Sequence, residues 1–302
     1  MAPSPLDAAA IGLIVVVILS LVADLPRESA VADQDRIPTS DHLGMIHMAI
    51  LDGRSGGPLT IRPFMARMPS MKSKHAHFQE QFPQLAERAR EILCASPACH
   101  DWDHTQRVLN LARHLARVEG ADRIVVEFAA VLHDVGRPDE LADQGRTCHA
   151  QRGAEIAERL LGEVGIADGA FKTAVSDCVR THRYRRRHGG KPASVEAEVV
   201  FDADKLDSIG AVGIGRAFHF AGRIGARLHN TREAALNSES YSREDSAYRE
   251  FLVKLQHIRD CMLTREGRRI ATLRHEFMVQ FFDRICREAN GEDVEVEGGS
   301  NQ

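Results

Sequence analysis

From Lys74 to Glu288 the apolar residues recur at intervals of three and four, and no stretch alternates apolar with polar as a half-buried strand would. That single feature limits the chain to an all-α fold. The composition agrees, since Ala, Leu, Arg and Glu are abundant while only three Tyr and one Trp occur. A chain of 302 residues has length enough for a substantial core.

Several of these helical stretches carry a titratable residue on the apolar face. In "DHTQRVLNLARHLARV", Asp103 reads as the N-cap with Gln106 in capping-box position, and the stripe Val108, Leu111, Ala112, Leu115, Val118 turns His104 inward. The next helix starts at about Asp122, aligns Val126, Ala129 and Ala130 with His133, and ends at Gly136 and Pro138 just after Asp134. His149 lines up with Gly153, Ala157 and Leu160, and Phe171, Val175 and Cys178 lead to His182. Ala197, Val200, Asp204, Asp207 and Ala211 form one further stripe.

A lone inward histidine is ordinarily a hydrogen-bonded core residue. Five successive helices that each turn His or Asp inward need another account, because burying such groups is costly unless they are paired or bind a metal. Two carboxylates, Asp134 and Asp204, facing one core would repel each other without a cation. A shared metal site explains both facts. Imidazole with carboxylate suits a divalent ion of intermediate hardness, Mn, Fe, Co, Ni or Zn. An open site of this kind acidifies bound water and polarises a phosphoryl oxygen, which points to hydrolysis.

The order His104, His133-Asp134, Asp204 resembles the H…HD…D signature of the HD-domain phosphohydrolase superfamily. "HDWDHTQRV", "AAVLHDVGR", "HAQRGAEIA" and "EAEVVFDADKLDSIGAVGIGRAF" are similar to a small bacterial-type branch of HD hydrolases, and the resemblance spans residues 75 to 290. It implies a single all-helical HD bundle. His104, His133, Asp134 and Asp204 would hold a divalent metal, Mn being the first expectation with Co, Ni, Fe, Zn or Mg as alternatives. The implied substrate is a nucleotide or similar small phosphate ester. No Gly-Tyr-Pro segment accompanies the HD pair, which argues against the cyclic-dinucleotide phosphodiesterase branch. "HRYRRRHGGK" is more basic than the small HD-hydrolase branch leads one to expect after the His182 position.

Roles for the neighbours follow. His149 and His182 either bind a second metal or contact the substrate. The preferred reading makes His149 a catalytic proton donor and His182 a phosphate contact. Lys205 would neutralise a phosphate, and Asp207 would orient a ligand histidine or the attacking water. Arg183 opens a basic run suited to a phosphate-gathering rim, and Arg216 is a further candidate phosphate contact. The glycines of "IGAVGIGRAF" follow a helix, so they read as close helix packing. The pattern Phe251, Leu255, Ile258, Met262, Ile270, Leu273, Phe277, Phe281 reads as the core face that closes the bundle.

Residues 1–72 form a separate N-terminal segment. It holds sixteen uncharged residues, Ala8 to Ala23, short for a spanning helix, then a Pro-, Gly- and Ser-rich stretch that reads as disordered. A true start near Met68 or Met71 is the favoured reading, with a membrane anchor or a cleaved targeting segment as rivals. The HD domain is assigned to 73–290, and 291–302 to a disordered acidic tail. A net charge of −4 gives no field for nucleic acid. The six cysteines include no CxxC pair and read as reduced thiols in a cytoplasmic protein. The rival functions are a non-catalytic nucleotide-sensing module and a membrane-tethered regulator. The sequence leaves the oligomeric state open.

Overall fold

A computed structural model describes residues 71–94, 102–183 and 191–293. The expectations for Ala8 to Ala23, the stretch to Ser70, Arg185 to Arg187 and residues 294–302 lie outside them. The described chain folds into α1 (Met71–Leu93), α2 (Trp102–Glu119), α3 (Arg123–Leu132), α4 (Arg137–Ala142), α5 (His149–Glu163) and α6 (Gly169–Thr181). Then come α7 (Val195–Asp207), α8 (Gly210–Arg223), α9 (Arg232–Leu236), α10 (Ala247–Val253), a 3₁₀ helix (Leu255–Cys261) and α11 (Arg265–Asn290). No strand occurs among the described residues, so the all-α expectation holds. None of their helices is long and apolar enough to cross a membrane.

Local chemistry sets the helix starts. Asp122 caps α3 by accepting from the Ile124 and Val125 amides, Asp168 caps α6 through Phe171, and Ser194 caps α7 through Ala197. Leu115, Phe128, Leu161, Val179 and Leu206 then fill one continuous core between α2, α3, α5, α6 and α7. Asp202 fastens the start of α11 to α7. Its buried carboxylate accepts from the Leu263 amide at 2.9 Å, the Thr264 amide at 2.8 Å and the Thr264 hydroxyl at 2.7 Å.

Four local expectations change. Asp103 is not the N-cap of α2, because the helix already begins at Trp102 and carries Asp103 in its first turn. Gly136 and Pro138 do end α3, but they also open α4, whose first turn has no use for the proline's missing N–H. Ala211 leaves the α7 stripe and is exposed. The chain turns after Asp207 and restarts as α8 at Gly210, which has a positive φ of 77°. Finally, α11 buries Ala271, Met278 and Phe282 and leaves Leu273 and Phe277 about half exposed. The stripe through Ile270 and Phe277 therefore flanks the buried face instead of forming it.

Two glycines decide how close α5 comes to the end of α3. A Cβ on Gly136 would stand 2.2 Å from the His149 carbonyl oxygen and 2.6 Å from the Gly153 amide nitrogen, both backbone atoms. Gly153 is also crowded, its Cβ position lying 3.2 Å from a Val179 methyl. Gly136→Ala should cost about 3 kcal/mol and lower the melting temperature by about 10 °C. Thermal unfolding followed by circular dichroism checks this, and an unchanged melting curve contradicts it.

Candidate metal centre

The side chains that the sequence analysis singled out come from helix ends. His104 lies in the first turn of α2, His133 is the C-cap of α3 with Asp134 next, and His149 opens α5. His182 is the C-cap of α6, and Asp204 and Asp207 occupy the last turn of α7. All seven are buried.

They form two groups that share Asp134. In the first, His104 Nε2 and His133 Nε2 stand 3.2 Å apart. Asp134 Oδ2 is 3.7 Å from the former and 3.6 Å from the latter. Asp204 Oδ1 joins them at 3.5 Å from His104 Nε2 and 4.0 Å from His133 Nε2. In the second, His149 Nε2 and His182 Nε2 are again 3.2 Å apart. Here it is Asp134 Oδ1 that lies near, at 3.7 and 3.5 Å.

The far ring nitrogens are engaged as well. His133 Nδ1 reaches the Ala130 carbonyl at 2.8 Å, and His182 Nδ1 the Val179 carbonyl at 2.6 Å. A carbonyl can only accept, so these nitrogens donate, and Nε2 is the ring atom turned toward the cluster. His104 Nδ1 lies 2.7 Å from Asp207 Oδ2, and His149 Nδ1 lies 2.9 Å from Glu140 Oε2.

Cations meet these carboxylates as well. Arg107 bonds Asp207 through Nε at 2.7 Å, and Arg216 Nη1 bonds Asp207 Oδ2 at 2.7 Å. Lys205 pairs with Asp204 Oδ2. Arg137 bonds Asp134 Oδ1 through Nε at 2.9 Å and Glu140 through Nη1 at 2.8 Å. Arg183 completes the ring at 3.0 Å from Glu140 Oε1.

The resulting field is uneven. Burial resists the charged form of Asp204, yet Lys205 and His104 hold its carboxyl well below the usual range. Asp207 is likewise lowered, by the His104 and Arg107 bonds working against burial. Burial also opposes Glu140, but His149 and Arg137 bring it down to about 2. Burial dominates for His133 and His149, which are each lowered to about 4.

This donor set fits a divalent cation. Donors held about 2 Å from one ion stand about 3.0 to 3.4 Å apart when adjacent, which is the spacing of the first histidine pair. Two imidazole nitrogens and two carboxylate oxygens come together there from the ends of α2, α3 and α7, and among the described residues His104, His133 and Asp134 form a cluster able to hold a metal, with Asp204 beside it. Asp134, His149 and His182 form a second such cluster among the described residues.

Of the residues expected at the site, His104, His133, Asp134, His149, His182, Asp204, Lys205 and Asp207 come together. Arg216 and Arg183 reach it through Asp207 and Glu140. Sequence reasoning passed over Arg107, Arg137 and Glu140. Arg107 and Arg137 each follow a site residue by three positions, a spacing that pairs side chains on a helix and could have drawn attention to them. Glu140 had no such signal.

Helix ends gathered around two histidine pairs and a shared aspartate describe an HD domain. The HD domain family profile matches residues 101–209, and the chain belongs to that family. It is 35% identical over 225 residues to the Bacillus subtilis protein YpgQ, covering 72% of this chain and 98% of that protein. The crystal structure of YpgQ in complex with ADP superposes with a TM-score of 0.55 at 32% identity, covering 72% of this chain and 99% of the other. An HD-superfamily hydrolase from Bacillus thuringiensis gives a TM-score of 0.55 at 28% identity, with 70% and 98% covered.

With its pKa lowered to about 4, His133 should be neutral at pH 6.5 and carry its proton on Nδ1. Long-range ¹H–¹⁵N spectra of the metal-free protein at that pH should show this tautomer. An imidazolium signature at His133 would contradict the assignment.

Proposed function

We propose that this chain is a divalent-metal-dependent phosphohydrolase acting on a nucleotide or similar small phosphate ester. The observation that carries the reading is the buried first cluster, in which two imidazoles and two carboxylates converge beneath a rim of cationic side chains. The ADP complex of YpgQ supports a nucleotide as the substrate class.

In this reading His104, His133, Asp134 and Asp204 hold the ion, with Mn first in expectation and Co, Ni, Fe, Zn or Mg as alternatives. When bound, such an ion acidifies water and polarises a phosphoryl oxygen. Asp207 fixes His104 so that Nε2 points inward, and Arg107 and Arg216 keep Asp207 ionised. It is a positioning residue. Lys205 offers positive charge at the rim, where a phosphate oxygen can exchange with Asp204. His182 contacts the phosphate, and His149 supplies a proton to the leaving oxygen, with Glu140 at its Nδ1 stabilising the imidazolium form against burial. A second reading, in which His149 and His182 hold a second ion, draws on their shared approach to Asp134 Oδ1. The five described cysteines are all free thiols, which supports a reducing, cytoplasmic setting.

The test is a panel of nucleotides and phosphate esters assayed with Mn, Co, Ni, Mg and Zn after chelator stripping. Turnover should require added metal, and full activity without any would overturn the reading. Asp204→Ala should lose both metal and turnover. His149→Ala should lose about 100-fold in rate while retaining metal, as measured on the same samples.

A further inference from the structure

Tyr241 stands out among the described residues. Its backbone has a positive φ of 64°, a region that glycine and asparagine occupy readily and a bulky ring does not. Its side chain is 74% exposed, so it adds little to the core. Neither local conformation nor packing calls for a tyrosine there, and a strained residue of this kind points to a use for the ring itself.

The loop that carries it is held from several sides. The Tyr241 amide donates to Asp245 Oδ2 at 2.7 Å, and Arg249 Nη1 bonds the other oxygen of that buried carboxylate at 2.9 Å. Arg249 also donates through Nη2 to the Ser238 carbonyl at 3.0 Å, and Ser246 Oγ donates to Asn230 Oδ1 at 2.6 Å. The ring is presented already in place, which lowers the ordering cost of binding anything against it.

Its neighbours lead back to the metal centre. Tyr241 meets the half-buried Phe220 edge to face, with ring centroids 5.8 Å apart and planes at 69°. The Arg223 guanidinium lies 5.5 Å from the Phe220 centroid. Arg216, Phe220 and Arg223 are spaced by four and three and share one face of α8. At the near end of that face Arg216 Nη1 bonds Asp207 at 2.7 Å, and Asp207 holds His104. Phe220 follows one helical turn later, about 6 Å along the axis. A phosphate at the rim formed by Lys205 and Arg216 therefore has an aromatic pair further along the same face.

We propose that Tyr241, backed by Phe220, is the stacking platform for the base of a nucleotide whose phosphates lie at the metal centre. This rests on the nucleotide reading above and deepens it. Every base offers a π face to such a ring, so the platform favours nucleotides over bare phosphates while discriminating little among bases. Tyr241 binds substrate and takes no part in the chemical step.

The experiment titrates the full chain, loaded with Mn²⁺, with α,β-methylene-ADP and with methylenediphosphonate in a calorimeter. The two ligands share a phosphorus–carbon–phosphorus bridge that resists hydrolysis and differ by the nucleoside. Wild type should bind the nucleotide about 10-fold or more tightly than the diphosphonate, the scale of one stacked base. Tyr241→Phe should keep that margin. Tyr241→Gly and Tyr241→Asn both suit the positive φ, so they should melt no lower than wild type, and both should lose the margin. A margin that survives in either ringless variant, or that is missing from wild type or from Tyr241→Phe, would overturn the inference and leave phosphate binding at the metal centre standing. Binding of neither ligand by wild type would sink the nucleotide reading and the platform together.

Discussion

Asp134 is a carboxylate buried among helix ends, and its two oxygens face two different histidine pairs. A charge so placed is sustained only when it is paired and hydrogen-bonded, because desolvation otherwise costs more than the fold can supply. The surrounding architecture meets that demand. Imidazoles arrive from α2, α3, α5 and α6, a second carboxylate from α7 and a guanidinium from α4. Remove Asp134 and the two halves lose their common member.

The close approach of α5 serves the same centre. Gly136 and Gly153 let the backbone at His149 come within contact of the chain after Asp134, which no side chain at Gly136 would permit. Helix capping supplies the complementary constraint. Asp122, Asp168 and Ser194 fix where α3, α6 and α7 begin, and the helical rise then sets the depth at which His133, His182 and Asp204 arrive.

Much of this was legible in the residues. The three-and-four spacing gave the helices, and the inward histidines and aspartates marked the faces that meet. The spacing was less informative at the joints. It ran α7 through to Ala211, although the chain turns before Gly210, and it chose the wrong stripe on α11 because Leu273 and Phe277 are apolar yet half exposed. Periodicity registers apolar character and not which face finds a partner. The ionic layer was the hardest to read. Glu140 reaches His149 only because α4 folds back over the start of α5, and that turn depends on tertiary contacts. The role of Asp207 was half visible, since its face could be inferred but its two arginines could not.

The long helices α2, α3, α5, α6 and α7 each donate to the centre from one end, and the opposite end supplies it no donor. The turns from α2 to α3 and from α5 to α6 lie at those opposite ends, and both pass through glycines with positive φ, Gly120 and Gly165, whose Cβ positions meet nothing within 4 Å. Extra residues spliced into either turn displace no donor atom. That side of the bundle is therefore open to lengthening, tagging or fusion to another module, while the end that gathers the histidines stays fixed in sequence register.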